Sequence, residues 1–108
     1  MIYLASPYSD PSPIVREHRF EVAQYFTAYW LKRGTIVFSP IVYCHDLAIA
    51  HSLPTDFAFW QNFNEKMLNR ATELWVLRLP GWENSIGVNS EILRASALAL
   101  PVTYHDPV

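Results

Sequence analysis

The stretch Gly81-Trp82-Glu83-Asn84-Ser85-Ile86-Gly87-Val88-Asn89-Ser90-Glu91 concentrates the side chains best suited to chemistry. If a helix begins at Ser85, its hydroxyl caps that helix, and the free amides of the first turn form a place for a phosphate or another anion. Gly87 leaves the backbone open to close approach by a ligand. Glu91 then falls in the second turn beside the apolar stripe Val88, Ile92, Ala95, so its carboxylate borders the core. A carboxylate there, above the ends of strands, can act as a nucleophile or a base. The plainer alternative is that Ser85 only caps the helix and Glu91 pairs with Arg94 one turn on. A second candidate is Tyr3-Leu4-Ala5-Ser6-Pro7-Tyr8-Ser9. A loop of small and hydroxyl residues after a strand can hold a sugar or phosphate, and it can equally be an ordinary strand-to-helix turn. Ser39, Tyr43, His45 and Trp82 are further polar or aromatic residues placed in loops. Tyr43 and His45 suit stacking on, or hydrogen bonding to, a planar ligand.

Other chemistries are disfavoured. His45 and His51 lie six positions apart, not at the four-residue spacing of a helical zinc pair, so no metal is expected. His18 and His105 read as surface residues. Cys44 is the single cysteine, without a CxxC partner or a paired base, which argues against a thiol nucleophile and excludes an internal disulfide. A GxSxG elbow, a Walker A loop and a GxGxxG fingerprint are all missing, so no cofactor is expected. Eight basic and ten acidic residues give a net charge of −2, unlike a binder of nucleic-acid polymers. With 51% hydrophobic and 17% charged residues in 108, one domain with a real core is expected. The first residues make a poor signal peptide, and no apolar run reaches the length of a membrane span. A soluble cytoplasmic protein is the expectation.

The elements that must position these residues follow from periodicity. Ile2 to Ala5 reads as a buried strand. Helical spacing of Val15, Val22, Phe26, Tyr29 and Trp30 predicts a helix from about Ile14 to Arg33, stopped at Gly34. Its aromatics, including Phe20 and Tyr25, face more than one side, which suggests a second subunit as partner in a homodimer or larger homo-oligomer. Thr35 to Phe38 is a second strand, broken by Ser39-Pro40. The stretch from Ile41 to Thr55 reads as a loop with at most one short helix. Asp56 to Arg70 is helical, with Phe59, Phe63, Met67 and Trp60 facing inward. Leu74 to Leu79 is a third strand, Ser85 to Leu98 a helix with Val88, Ile92, Ala95 and Ala99 on one face, and Pro101 to Tyr104 a last strand. Alternating apolar strands and helices imply an α/β fold with a parallel sheet of four to five strands and helices on both faces. Ligands in such sheets sit at the carboxyl ends of the strands, where the strand order switches.

Taken together, Tyr3-Leu4-Ala5-Ser6-Pro7-Tyr8, Phe38-Ser39-Pro40 and Gly81-Trp82-Glu83-x-Ser85-x-Gly87-x3-Glu91-Ile92 resemble the nucleoside 2-deoxyribosyltransferase-like superfamily, in particular its short bacterial and phage members. The resemblance spans nearly the whole chain and implies a flavodoxin-like three-layer sandwich. It implies cleavage of the N-glycosidic bond of a nucleoside or nucleoside 5′-monophosphate, by hydrolysis or transfer, through a glutamate nucleophile at the position of Glu91. Where transferases acting on free nucleosides carry an aspartate, this chain has Ser85, as in relatives that hydrolyse 5′-monophosphates. Tyr3, Ser6 and Tyr8 would then line the sugar site, Ser85 and the amides around Gly87 would hold the phosphate, and Tyr43, His45 and Asn64 would face the base. One departure stands out: Asn64 occupies the place of an aspartate that can protonate the base. An asparagine can hydrogen-bond a base but cannot serve as its acid, and Asp56 or Glu65 would have to substitute. Few residues follow the last strand, so little is left to reach into a neighbouring subunit's site. A catalytically inactive nucleotide-binding or sensing module on the same fold is the alternative.

Overall fold

Strand residues alternate between two apolar layers, and that alternation sets the architecture. The computed structural model describes residues 1–108. Its elements are β1 (Ile2–Ala5), α1 (Pro13–Lys32), β2 (Val37–Phe38), α2 (Pro40–His51), α3 (Phe57–Leu68), β3 (Glu73–Leu77), a 3-10 turn (Trp82–Asn84), α4 (Ile86–Ala97) and β4 (Val102–His105). The four strands are all parallel, in the order β2-β1-β3-β4. Ile2 stands opposite Val37 on one side and Glu73 on the other, and Leu74 opposite Val102. Ile2 and Leu4 of β1 join Trp75 and Leu77 of β3 in a core closed by Ala23 and Phe26 of α1. Tyr3 and Ala5, with Leu74 and Val76, point the other way onto Leu68 of α3 and Val88 and Ala95 of α4. The result is a flavodoxin-like α/β sandwich, with the sheet at the lower end of the expected strand number. No helix is long and apolar enough to cross a membrane.

The chain runs outward from β1 to β2, then returns to pair β3 on the opposite side of β1. The strand order therefore switches between β1 and β3, and their carboxyl ends open a crevice there. The loops following these two strands carry the chemistry-bearing residues.

Several expectations need correction. Residues 41–55 are not mainly loop: α2 fills Pro40–His51. Ser39 is its N-cap, accepting from the Val42 amide at 3.2 Å, and Pro40 occupies the first turn, where its missing N–H does no harm. Only a stripe of Pro40, Cys44, His45 and Ala48 is buried, and a histidine in that stripe hides the helical period. The second strand shrinks to two residues. In α3, Phe59 does not face inward but is 48% exposed, and Leu68 is the buried residue. His105 is half-buried, its ring stacked on Trp75 at 4.2 Å, and this burial lowers its pKa from the ordinary imidazole value. The aromatics of α1 are largely covered within the chain. Phe26 and Trp30 pack on Trp75, Phe20 stacks on His45, and Tyr29 lies under the Arg33 guanidinium, leaving Tyr25 exposed. Their disposition no longer requires a second subunit.

Ala99 does not continue the face of α4. It adopts φ +56° just past the helix, where the Leu100 amide donates back to the Ala95 carbonyl at 2.9 Å. This left-handed ending is normally a glycine's, because a Cβ crowds the backbone there. Ala99→Gly is therefore expected to stabilise the fold by about 1 kcal/mol in urea unfolding. An unchanged or lower midpoint would show that Ala99 is not strained.

Candidate functional site

Ser85 begins α4 as foreseen, its hydroxyl accepting from the Val88 amide at 3.2 Å. That cap fixes the phase of the helix, and Glu91 consequently points down beside Val88 and Ala95 into buried surroundings. The Arg94 guanidinium turns away to Asn69 Oδ1, at 2.9 Å, so no cation pairs with Glu91. The one hydrogen bond the carboxyl receives comes from the Tyr3 hydroxyl on β1. Burial pushes the Glu91 pKa up to about 8, against a smaller downward pull from that hydroxyl. Tyr3 is itself driven well above its usual range, first by burial and then by the neighbouring carboxylate, and so remains a donor.

Glu91 borders a cavity of about 370 Å³ at the switch point. This lies at the lower end of the range for small-molecule sites, roughly 300–1,000 Å³, and suits one nucleoside or mononucleotide rather than a dinucleotide. Ser6, from the end of β1, and Asn64, from α3, share its wall. The Ser6 Oγ and the Asn64 Oδ1 are buried without a hydrogen-bond partner. Such atoms are costly to leave unsatisfied, which makes them natural contacts for a polar ligand. Asn84, Ser85 and Gly87 bring the first turn of α4 to the same cavity.

On the far wall His45 is held from three sides. Phe20 stacks on its ring at 4.2 Å, Glu17 Oε2 lies 2.6 Å from Nε2, and the Tyr8 hydroxyl lies 2.7 Å from Nδ1. A carboxylate only accepts, so Nε2 carries a proton, and in the neutral imidazole Nδ1 accepts from Tyr8. Arg19 ties the two rim loops together, donating to the Ser9 carbonyl at 3.0 Å and the Pro80 carbonyl at 3.3 Å. Cys44 also lines the cavity, but burial raises its pKa to about 11 and keeps the thiol protonated. No group of three or more His, Cys, Asp or Glu side chains is placed to hold a metal ion.

The cavity thus gathers Ser6, Tyr8, His45, Asn64, Ser85, Gly87 and Glu91. Four other sequence candidates fall elsewhere. Tyr3 is fully buried and meets Glu91 from behind instead of lining the cavity. Ser39 is spent on capping α2. Tyr43 is 52% exposed and stacks on Phe63, and Trp82 packs near Tyr104 outside the cavity. Sequence reasoning overlooked Glu17, although Glu17 and Phe20 sit at the i, i+3 spacing that shares a helix face. It also overlooked Trp60, which lines the cavity, and weighed Asp56 only as a substitute acid.

Residues 1–106 match DUF1937, described as a domain of unknown function. The chain belongs to that family. The match takes in both loops of the switch-point cavity, so in this DUF1937 chain the site lies wholly within the family domain. None of the curated proteins matches it.

Burial of Glu91 has a measurable cost. An unfolded glutamate titrates near 4.3 and the folded one near 8, so the native state holds an extra proton between those values. Stability is highest below the unfolded value, declines as pH rises toward 8 and levels off above it. Glu91→Gln lacks this dependence. Its stability relative to the parent should therefore grow by on the order of 5 kcal/mol between pH 4 and pH 9 in urea melts. A difference that does not vary with pH would show that Glu91 titrates normally.

Proposed function

We propose that this chain cleaves the N-glycosidic bond of a nucleoside or nucleoside 5′-monophosphate, with Glu91 as the nucleophile. The observation that carries the reading is a buried carboxyl, free of any cationic partner, at the wall of a nucleoside-sized cavity. The likeness of the Tyr3–Tyr8 and Gly81–Ile92 segments to the nucleoside 2-deoxyribosyltransferase-like superfamily supports it.

In the first step a Glu91 oxygen bonds to the anomeric carbon as the bond to the base breaks. Positive charge develops on the sugar, and a carboxylate a bond length away stabilises it. In the second step water or another base displaces Glu91 from that carbon. Tyr3 keeps the carboxyl aimed throughout, Ser6 and Tyr8 contact the sugar, and a 5′-phosphate rests on the amides at the start of α4. Asn64 hydrogen-bonds the base.

A second reading, a module that binds or senses nucleotides without turnover, is favoured by Asn64 alone, since that side chain supplies no proton to a departing base.

The test is chromatography of free base released from a panel of nucleosides and 5′-monophosphates, with and without an acceptor base. Release that Glu91→Gln abolishes is the expected result, with kcat/KM rising with pH through about 8 as the carboxyl ionises. A preference for monophosphates assigns the phosphate to α4. Tight nucleotide binding without release supports the module instead, and release unaffected by Glu91→Gln overturns the nucleophile.

A further inference from the structure

We propose, building on the glycosidic reading above, that the substrate's leaving base is a heteroaromatic cation, as in a nicotinamide or 7-methylpurine nucleoside. The charges of the cavity point this way. Its wall carries two carboxyl side chains, Glu91 and Asp56, and no lysine or arginine. The nearby guanidiniums stay at the Tyr8 side of the rim, held by backbone carbonyls, Arg16 by Asp10 and Arg19 by Ser9 and Pro80, and neither lines the cavity. Asp56 begins α3 without accepting a cap hydrogen bond from the backbone, so its carboxylate remains available to a ligand. Trp60, one turn into the same helix, adds an aromatic surface of the kind that attracts a flat cation.

The chemistry of the base end agrees. A neutral base departs as an anion unless it is protonated, and Asn64 cannot protonate it. A cationic base needs no proton. As the Glu91 oxygen bonds to the anomeric carbon, the glycosidic electron pair returns to the positively charged ring, and the base leaves neutral. Water then bonds to that carbon, the pair of the C–O bond to Glu91 returns to the carboxylate, and the water's proton passes to solvent. Asn64 offers one acceptor and a pair of donors, the complement of a carboxamide or an amino-purine edge, and its acceptor oxygen is unsatisfied within the chain. A cation in the cavity also favours ionised Glu91, so arrival of the substrate itself arms the nucleophile that burial otherwise keeps protonated.

The experiment compares base release from nicotinamide riboside, its 5′-monophosphate and 7-methylguanosine with release from adenosine, guanosine and their 5′-monophosphates. Each rate is taken relative to spontaneous hydrolysis of the same compound. The cationic substrates are expected to show the larger enhancement, abolished by Glu91→Gln. Asp56→Asn, which preserves a residue suited to a helix start, should raise their KM roughly tenfold and that of neutral substrates by a much smaller factor. Asn64→Asp, which supplies the missing proton, should raise kcat on neutral bases by about 100-fold and so narrow the gap between the two sets. Equal or greater enhancement on neutral bases overturns the cationic assignment while leaving glycosidic cleavage by Glu91 in place. No release from either set, by protein whose far-ultraviolet circular dichroism shows it folded, overturns both.

Discussion

A single hydrogen bond joins the central strand to the last helix: the Tyr3 hydroxyl on β1 donates to the carboxyl of Glu91 on α4. Both side chains lie in the layer between sheet and helices, where a carboxylate is poorly solvated and no cation balances it. Such a group is stable only as a neutral acid or beside positive charge. The phase of α4, the placement of β1 at the centre of the sheet and the crevice between β1 and β3 all converge on that pair. What the molecule holds there is a buried carboxyl, without a cationic partner, at the edge of that crevice.

The remaining walls are built to keep their shape. His45 is clamped by a ring, a carboxylate and a hydroxyl drawn from α1 and the loop after β1, and Arg19 fastens that loop to the one after β3. The His45 ring is buried and contacted on three sides, so little of its freedom is left to lose when a ligand enters. By contrast, Ser6 and Asn64 keep unsatisfied atoms beside the cavity. Rigid support around unmet hydrogen-bonding capacity is the arrangement expected of a binding site.

Much of this was legible in the sequence, because strand–helix alternation and the Ser85 cap are local signals. The cap and the stripe Val88, Ile92, Ala95 sufficed to send Glu91 toward the core. What failed was whatever depended on packing between elements. The helix α2 was hidden because its buried stripe includes His45 and Cys44, while Ile49 and Leu47 are exposed. Tyr3 reads as a sugar-site residue because the sequence shows that it lies on β1 but not that its hydroxyl ends beneath α4. Tyr43 looked like a base-stacking ring, yet the turn of α2 aims it at Phe63. Glu17 was invisible as a partner of His45 because nothing local says that α1 and α2 cross there.

The most direct test of Glu91 as a nucleophile is to trap it. Incubating the protein with a 2′-deoxy-2′-fluoro nucleoside or nucleotide bearing a good leaving base, whose fluorine slows both steps while the leaving base keeps the first the faster, and mapping peptides by mass spectrometry would locate any sugar ester. The expected result is one glycosyl adduct on the peptide containing Glu91, lost in Glu91→Gln. An adduct on another residue, or base release from the analogue with no adduct at all, would contradict a covalent role for Glu91.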